Sequence, residues 1–579
     1  MAEYFAPGVY VEEFDSGVKA MEGAGTSTAG FVGLAEKGPV MGRPVLLTSF
    51  ADYQRQFGGY LPELEYGSYR YLPNAVEQFF TNGGSTCYVM RVAPADAVAA
   101  QSSNGKVTVT AKNPGTWANT LQVTFTCSER ARTQVLAIQG EGENKQYQLK
   151  NTAGFRVGDI VSYSPPTEKK TTVYLTITAV TGNLVSFSQS LPDDVVDNNL
   201  VPQKILKACG VDMVIRCGSQ EERYPGCSLN ASAPDYLITA LEKSTLVTMK
   251  LNLDSKADNL LVLLGGSAGA DDADQDPLQI NLSGGLNGTV SNVAADVFHG
   301  TDDGPGKRTG IKAFQEIADV SIMAVPGVTD PNVQAQLIAH CEGLTNRFAV
   351  LDAPSDCIKV DALITHRNSY DSSYAALYAP WVQVYDPLLK KPTFLPPSGS
   401  VCGIYARTDI QRGVHKAPAN EVVKGCTGLS VSYNQAEQGD LNPKGVNLIR
   451  AIPGQGIRVW GARTCSSDGN WKYVNVRRLF IFLEESIRAN SNWVVFEPND
   501  QALWSRVKGT ISLFLETQRR NGALMGSTPE EAYYVNVGPT TMTQDDILNG
   551  RLICEIGVAP VRPAEFVIFR ITQITQSAT

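Results

Sequence analysis

VNLIRAIPGQGIRVWGARTCSSDGNWKYVNVRRLFIFLEESI, residues 446–487, is the stretch from which the fold of this 579-residue chain can be read. It predicts a turn at 453–456, a strand over 457–462, a second turn near 467–469, and then a long helix. The helix follows from spacing: Val476, Leu479, Phe480, Leu483 and Ile487 recur at three and four residues, with Arg477, Arg478, Glu484 and Glu485 interleaved. No nucleophile–base pair and no metal-ligand spacing occurs here. The stretch sets Arg458, Arg463, Arg477 and Arg478 among Trp460, Trp471 and Tyr473. That mixture is enriched at protein–protein contacts, because these side chains combine large area with fixed hydrogen-bond geometry. It equally suits a well-packed strand–helix unit of an ordinary domain.

Working outward, the same rhythm of strands and helices recurs on both sides. Toward the amino terminus it predicts strands over 29–35, 44–48 and 87–92. Between them lie a helix capped by Ser49 and stopped at Gly58-Gly59, and one opened by Pro73. Nearer the stretch, residues 311–318 read as helical, 320–325 as a buried strand, and a helix starts at Asp330-Pro331. In that helix His340 and Cys341 fall at the edge of the core face. Beyond the stretch, 499–520 reads as a helix with Leu503, Val507, Ile511, Phe514 and Leu515 inward and Arg506, Lys508, Arg519 and Arg520 toward solvent. Strands over 551–558 and 565–574 close the chain. Alternating strands and helices argue for an α/β (α+β) core. Between about 96 and 285 the texture changes to period-two alternation, including a hairpin at 171–187, which predicts an inserted β-rich domain. The expected division is an arm over 1–25, a discontinuous core over 26–95 with 286–550 in two subdomains, the insertion over 96–285, and terminal strands and an arm over 551–579. An extended run at 9–13 has no partner nearby, so its backbone groups are expected to pair elsewhere.

Composition narrows the function. A net charge of −9 argues against a general nucleic-acid binder. No apolar run approaches the length of a membrane span, and the opening MAEYFAPGVYVEE lacks a signal-peptide pattern. Eleven cysteines, an odd and scattered set, suit reduced thiols in cytoplasm. Gly265-Gly266-Ser267-Ala268-Gly269 matches a nucleophile elbow, but ADDADQDP follows, crowding carboxylates where an oxyanion would form; a hydrolase at Ser267 is the remote alternative. Asp272, Asp274 and Asp276 have calcium-loop spacing without the required Gly and Glu. The run 304–309 fails the phosphate-loop register at Thr301 and Arg308, and Gly454 and Gly456 precede a strand instead of a helix. Cys209, Cys217 and Cys227 are spaced too widely for zinc. No cofactor or metal site is expected.

Several long motifs, in order, resemble the contractile tail sheath proteins of phages and phage-tail-like injection systems. They are LNPKGVN at 441–447, IPGQGIRVWGART at 452–464, KYVNVRRLFIFLEESI at 472–487, WVVFEPND at 493–500, GALMGSTPEEAYYV at 522–535 and IGVAPVRPAEFVIFRITQ at 556–573. PPSGSVCGIYARTDIQRGVHKAPAN at 396–420 fits too, with His415 where the family has Trp, as do TSTAGFVGLAEKGP, TSFADYQRQFGG and AVEQFFTNGGSTCYVMRV near the start. The resemblance implies no enzyme, but a subunit that polymerises as hexameric rings around an inner tube. The polymer contracts from a metastable extended state to drive the tube through a target envelope. It also implies strand exchange between copies, by Val9, Tyr10, Val11 and Glu12 at one end and Phe566, Val567, Ile568, Phe569 and Ile571 at the other. Implied partners are other copies, the inner tube protein, and baseplate and tail terminator or cap proteins, with no nucleic acid and no membrane insertion. Synthesis in bacterial cytoplasm and residence in a virion tail or phage-tail-like particle follow. Arg506, Lys508, Arg519 and Arg520 would then face the tube, and the insertion would face outward. A surface-displayed carbohydrate- or receptor-binding module is the alternative, with Trp117, Tyr147, Tyr163 and Tyr174 as stacking rings.

Overall fold

A computed structural model describes residues 21–103, 107–141, 145–164, 172–191, 204–251 and 277–568. Helices and strands are mixed throughout. The first three strands are β1 (Ala29–Leu34), β2 (Val45–Leu47) and β3 (Cys87–Val92). Eleven more, β4 (Gln101–Ser103), β5 (Val107–Ala111), β6 (Gln122–Gln139), β7 (Gln146–Leu149), β8 (Ile160–Tyr163), β9 (Val173–Thr181), β10 (Leu184–Phe187), β11 (Ile205–Cys217), β12 (Gln220–Cys227), β13 (Val247–Leu251) and β14 (Leu278–Asn281), build a separate β-rich region. Then come β15 (Ile322–Ala324), β16 (Phe348–Asp352), β17 (Ala375–Ala379), β18 (Val382–Asp386), β19 (Lys391–Leu395), β20 (Glu421–Val422), β21 (Cys426–Leu429), β22 (Val446–Ile452), β23 (Gly456–Val459), β24 (Tyr533–Val537) and β25 (Cys554–Val558).

The central sheet runs β2-β3-β1-β15-β16-β17-β22-β23-β20, so residues far apart in sequence share it. Its middle, from β3 to β22, is parallel, and its flanks are antiparallel. Parallel strands need cover on both faces, and both faces here are dry. Val32, Met90, Met323, Leu351 and Leu377 lie in the core on one side. Phe31, Val89, Ala324, Val350 and Tyr378 lie on the other. Helix α1 (Leu72–Thr81) crosses α2 (Ser398–Arg412) at very close range. A methyl group on Gly399 would sit 2.4 Å from Ala75, and one on Gly403 would sit 2.5 Å from the Phe79 carbonyl. The four-residue glycine spacing is therefore what lets these backbones meet.

Helix α3 (Val474–Asn490) is the strand–helix element read from the sequence. It is sandwiched. Val474 and Ile481 pack on the central sheet, while Leu479 and Leu483 pack against Leu503, Val507, Ile511 and Phe514 of α4 (Gln501–Arg520). The expected face is thus only part of what α3 buries, and Arg477 and Arg478 are buried as well. The β24–β25 pair packs against α4 and closes the same core through Val535, Ile556 and Val558.

The β-rich region has two lobes joined by two long strands. Strands β6, β11, β8, β9, β10 and β7 close on themselves as a six-stranded barrel around Val135, Tyr147, Leu149, Tyr163 and Leu175. The other ends of β6 and β11, with β12 and β14, face the small sheet β13-β5-β4 across a second core. The region leaves and re-enters the central fold at one doorway. Thr289 donates to the Asp96 carboxylate from its amide at 3.0 Å and its hydroxyl at 2.6 Å, and Val98 pairs with Leu286.

The strand expected over 565–574 is absent from its described part: residues 565–568 carry no strand, and the remainder lies outside the described residues, as do Ser267, Asp272, Asp274 and Asp276. Trp117, Tyr147, Tyr163 and Tyr174 are buried in the cores of the β-rich region. As ring-stacking residues for a sugar on the outer surface they are corrected: Tyr147, Tyr163 and Tyr174 hold inward-facing strand positions, and Trp117, on the helical turn Thr116–Thr120, is 7% exposed and lines a cleft instead of the outer surface.

Candidate functional site

Among the described residues the two chain ends are fastened to one structural unit, α3 and the loop leading into it. At the amino-terminal side, the amide of Ala24 donates to Ser486 Oγ at 2.9 Å, and Asn490 exchanges hydrogen bonds with Glu22. Arg478 donates to the Thr26 carbonyl at 2.8 Å. The same guanidinium makes a two-pronged bond to Asp409 of α2, at 2.9 and 2.6 Å, and lies 4.7 Å from the Tyr405 ring centroid. Both partners of this ion pair are 3% exposed. Burial works against the Arg478 charge, but Asp409 overrules it and holds the guanidinium above its usual range. Burial also pushes the Asp409 carboxyl up, and Arg478 pulls it part of the way back.

At the carboxy-terminal side the anchor is Glu565. It accepts from Arg463 Nε at 2.8 Å and Nη2 at 2.5 Å, from Asn442 Nδ2 at 2.6 Å, and from the Tyr473 hydroxyl at 3.2 Å. Burial raises its pKa, yet the Arg463, Asn442 and Tyr473 bonds outweigh that and leave Glu565 below the usual carboxylate range. At the start of α3, Asn475 donates to the Val561 carbonyl at 3.2 Å, holding the approach to Glu565. Immediately past the anchor, Phe566, Val567 and Ile568 are 73%, 69% and 77% exposed. Three consecutive uncovered apolar residues on a fixed root are a costly arrangement for a lone protomer.

Of the arginines singled out in the sequence, Arg463 and Arg478 are these two fasteners. Arg477 lies over Trp471, 3.5 Å from its centroid, and donates to Ser373 Oγ at 3.0 Å. Arg458 closes a turn by donating to the Gln455 and Asn420 carbonyls, and Trp460 accepts through its carbonyl from Gln438. On α4, Arg506 pairs with Glu497 at 3.1 Å and lies over Trp493. Arg519 and Arg520 share Glu516, and their hydrogen bonds hold that carboxyl down at about 2. Lys508 is exposed. Phe566, Val567 and Ile568 stand at the surface, while Val9, Tyr10, Val11, Glu12, Phe569 and Ile571 lie outside the described residues. Elsewhere, Arg308 is held by Asp302 and Glu316 at 2.8 Å each, and the Arg347 guanidinium meets His340 Nε2 at 3.2 Å.

Sequence reasoning missed Asp409, Asn475, Ser486, Asn490 and Glu565. All are polar residues whose role is set by partners at least 60 positions away, so local spacing carries no trace of them. Among the described residues no group of three or more His, Cys, Asp or Glu could hold a metal ion, and no helix is long and apolar enough to cross a membrane.

Residues 303–465 match the phage tail sheath protein central domain, and 466–574 match the phage tail sheath C-terminal domain. The tail sheath protein of Escherichia phage P2 is 26% identical over 293 residues, covering 49% of this chain and 70% of its own. That of Burkholderia phage BcepMu is 27% identical over 308 residues, covering 49% and 62%. In three dimensions, the sheath of the extracellular contractile injection system PVC in its contracted state superposes with a TM-score of 0.52. It is 21% identical and covers 99% of each chain, a likeness of fold.

Proposed function

Because the chain belongs to the contractile tail sheath family, a structural family and not an enzyme family, we propose that it polymerises as stacked hexameric rings around an inner tube and contracts to drive that tube outward. The observation that carries this reading is the pair of anchored chain ends, the carboxy-terminal one leading directly into uncovered apolar residues. A root rigid enough to transmit force, followed by a segment that cannot satisfy itself, suits a strand given to a neighbour. Such addition uses backbone pairing for strength and alternate side chains for specificity.

A receiving site of the right kind is the two-stranded sheet β24–β25, whose outer edges have no partner strand among the described residues. Neither strand carries Lys or Pro. Edge strand β19, by contrast, is guarded by Lys391 and Pro392, residues that discourage pairing. Exchanged arms would keep subunits linked while they move as rigid bodies. If contraction buries roughly 500 Å² more of mostly apolar surface per subunit, the gross gain is about 10 kcal/mol. Imperfect polar pairing reduces it, yet a small remainder, summed over a polymer, suffices without nucleotide.

In the same proposal Arg506, Lys508, Arg519 and Arg520 hold the tube in the extended state, the β-rich region faces outward as an inserted domain, and the polymer ends meet baseplate and terminator proteins. The particle is made in bacterial cytoplasm and is a virion tail or phage-tail-like device. Electron microscopy of the purified chain tests the core claim: long striated tubes are expected. Deleting residues 1–20 should abolish them and leave a folded monomer; tubes that persist would refute the arm assignment.

A further inference from the structure

A cleft of about 310 Å³ lies where the loop between β1 and β2 meets the β-rich region. That volume is within the range of small-molecule sites. We propose that this cleft binds a small organic anion with a flat apolar body. The lining explains the choice. Pro39, Val45, Trp117 and Leu246 supply apolar surface, and Lys37, Arg55 and Lys112 supply positive charge.

No carboxylate lines the cleft. Arg55 is paired with Asp52, which stands outside the lining, but Lys37 and Lys112 have only neutral oxygen partners. Lys37 reaches Gln220 Oε1 at 3.4 Å, and Lys112 donates to the Ser244 carbonyl at 2.6 Å, which leaves ammonium protons on both for a ligand. The Trp117 indole N–H is already spent on the Pro114 carbonyl at 3.2 Å, so its ring offers the cleft apolar contact alone. A neutral apolar guest would leave Lys37 and Lys112 without an anionic partner, and a compact inorganic anion would leave the apolar walls uncovered. A guest with a charged head and an aromatic body meets both. Since Lys37 and Arg55 belong to the central fold and Lys112 to the β-rich region, the guest would also tie the two together.

Isothermal titration of the full-length chain with naphthalene-2-sulfonate tests this, with neutral naphthalene-2-sulfonamide as the control. The expected result is one saturable site that binds the sulfonamide at least tenfold more weakly. Lys37→Glu combined with Arg55→Glu should weaken sulfonate binding at least tenfold at an unchanged melting temperature. Val45→Trp, which fills the cleft from its apolar side, should abolish binding and serves as the second variant should the charge reversal disturb folding. Absence of saturable heat, equal affinity for the two probes, or unchanged binding in a folded variant would overturn the proposal.

Discussion

Replacing Asp409 by Asn should uncouple the amino-terminal root from the core. The substitution keeps the volume but removes the counter-charge of Arg478, whose two bonds to Asp409 are 2.9 and 2.6 Å long. Because both side chains are 3% exposed, solvent cannot screen the orphaned guanidinium. Breaking one side of a buried pair costs about 3–5 kcal/mol, most of it the stranded charge. The Arg478→Met, Asp409→Leu double variant removes both charges and should recover much of that loss, giving a coupling energy of about 2–3 kcal/mol in a double-mutant cycle. With several cores in one chain a single melting curve is a poor gauge. Amide hydrogen exchange on α2, α3 and residues 24–28 is the better assay, and about 3 kcal/mol corresponds there to a roughly hundredfold faster opening. Single variants that each lose under 1 kcal/mol, or a double variant as damaged as the sum of the two, would refute the reasoning.

Glu565→Gln should loosen residues 559–568 without unfolding the core, read as faster exchange there. The wild-type contribution is present above the unfolded carboxylate pKa of about 4.3 and fades as pH falls through the lower folded value, so the variant should flatten that acid dependence. Burial, reinforced by the Arg347 guanidinium, brings His340 down to about 3. Since the unfolded imidazole takes its proton near 6.5, acid stability should decline between about 6.5 and 3, and His340→Gln should remove that slope in a pH series of denaturant melts. Changing Phe566, Val567 and Ile568 together to Ser should leave the monomer's melting unchanged and reduce tube yield at least tenfold by sedimentation; unchanged yield would detach these residues from assembly.

The backbone plan was legible because its signals are local. Ser49 caps its helix by accepting from Asp52, Asp330 caps the helix it opens by accepting from Asn332, and the fully apolar runs Ala29–Leu34 and Phe348–Leu351 lie in the parallel sheet. Period-two alternation gave away β5 and the β9–β10 hairpin. Barrel closure was not legible, because it depends on β6 finding β11 across some 70 residues. The site divided the same way. Arg463 and Arg478 stood out as arginines among aromatics, but their purpose needed Glu565 and Asp409, and a carboxylate in a sequence does not announce which distant cation it will meet.

The doorway at Asp96 and Thr289 has a mechanical consequence. If, as proposed, tension passes between the two chain ends, a region that departs and returns at one point would hang beside that path, in parallel and not in series. Pulling on the ends would then not stretch it. Its size and shape could drift without lengthening the loaded path.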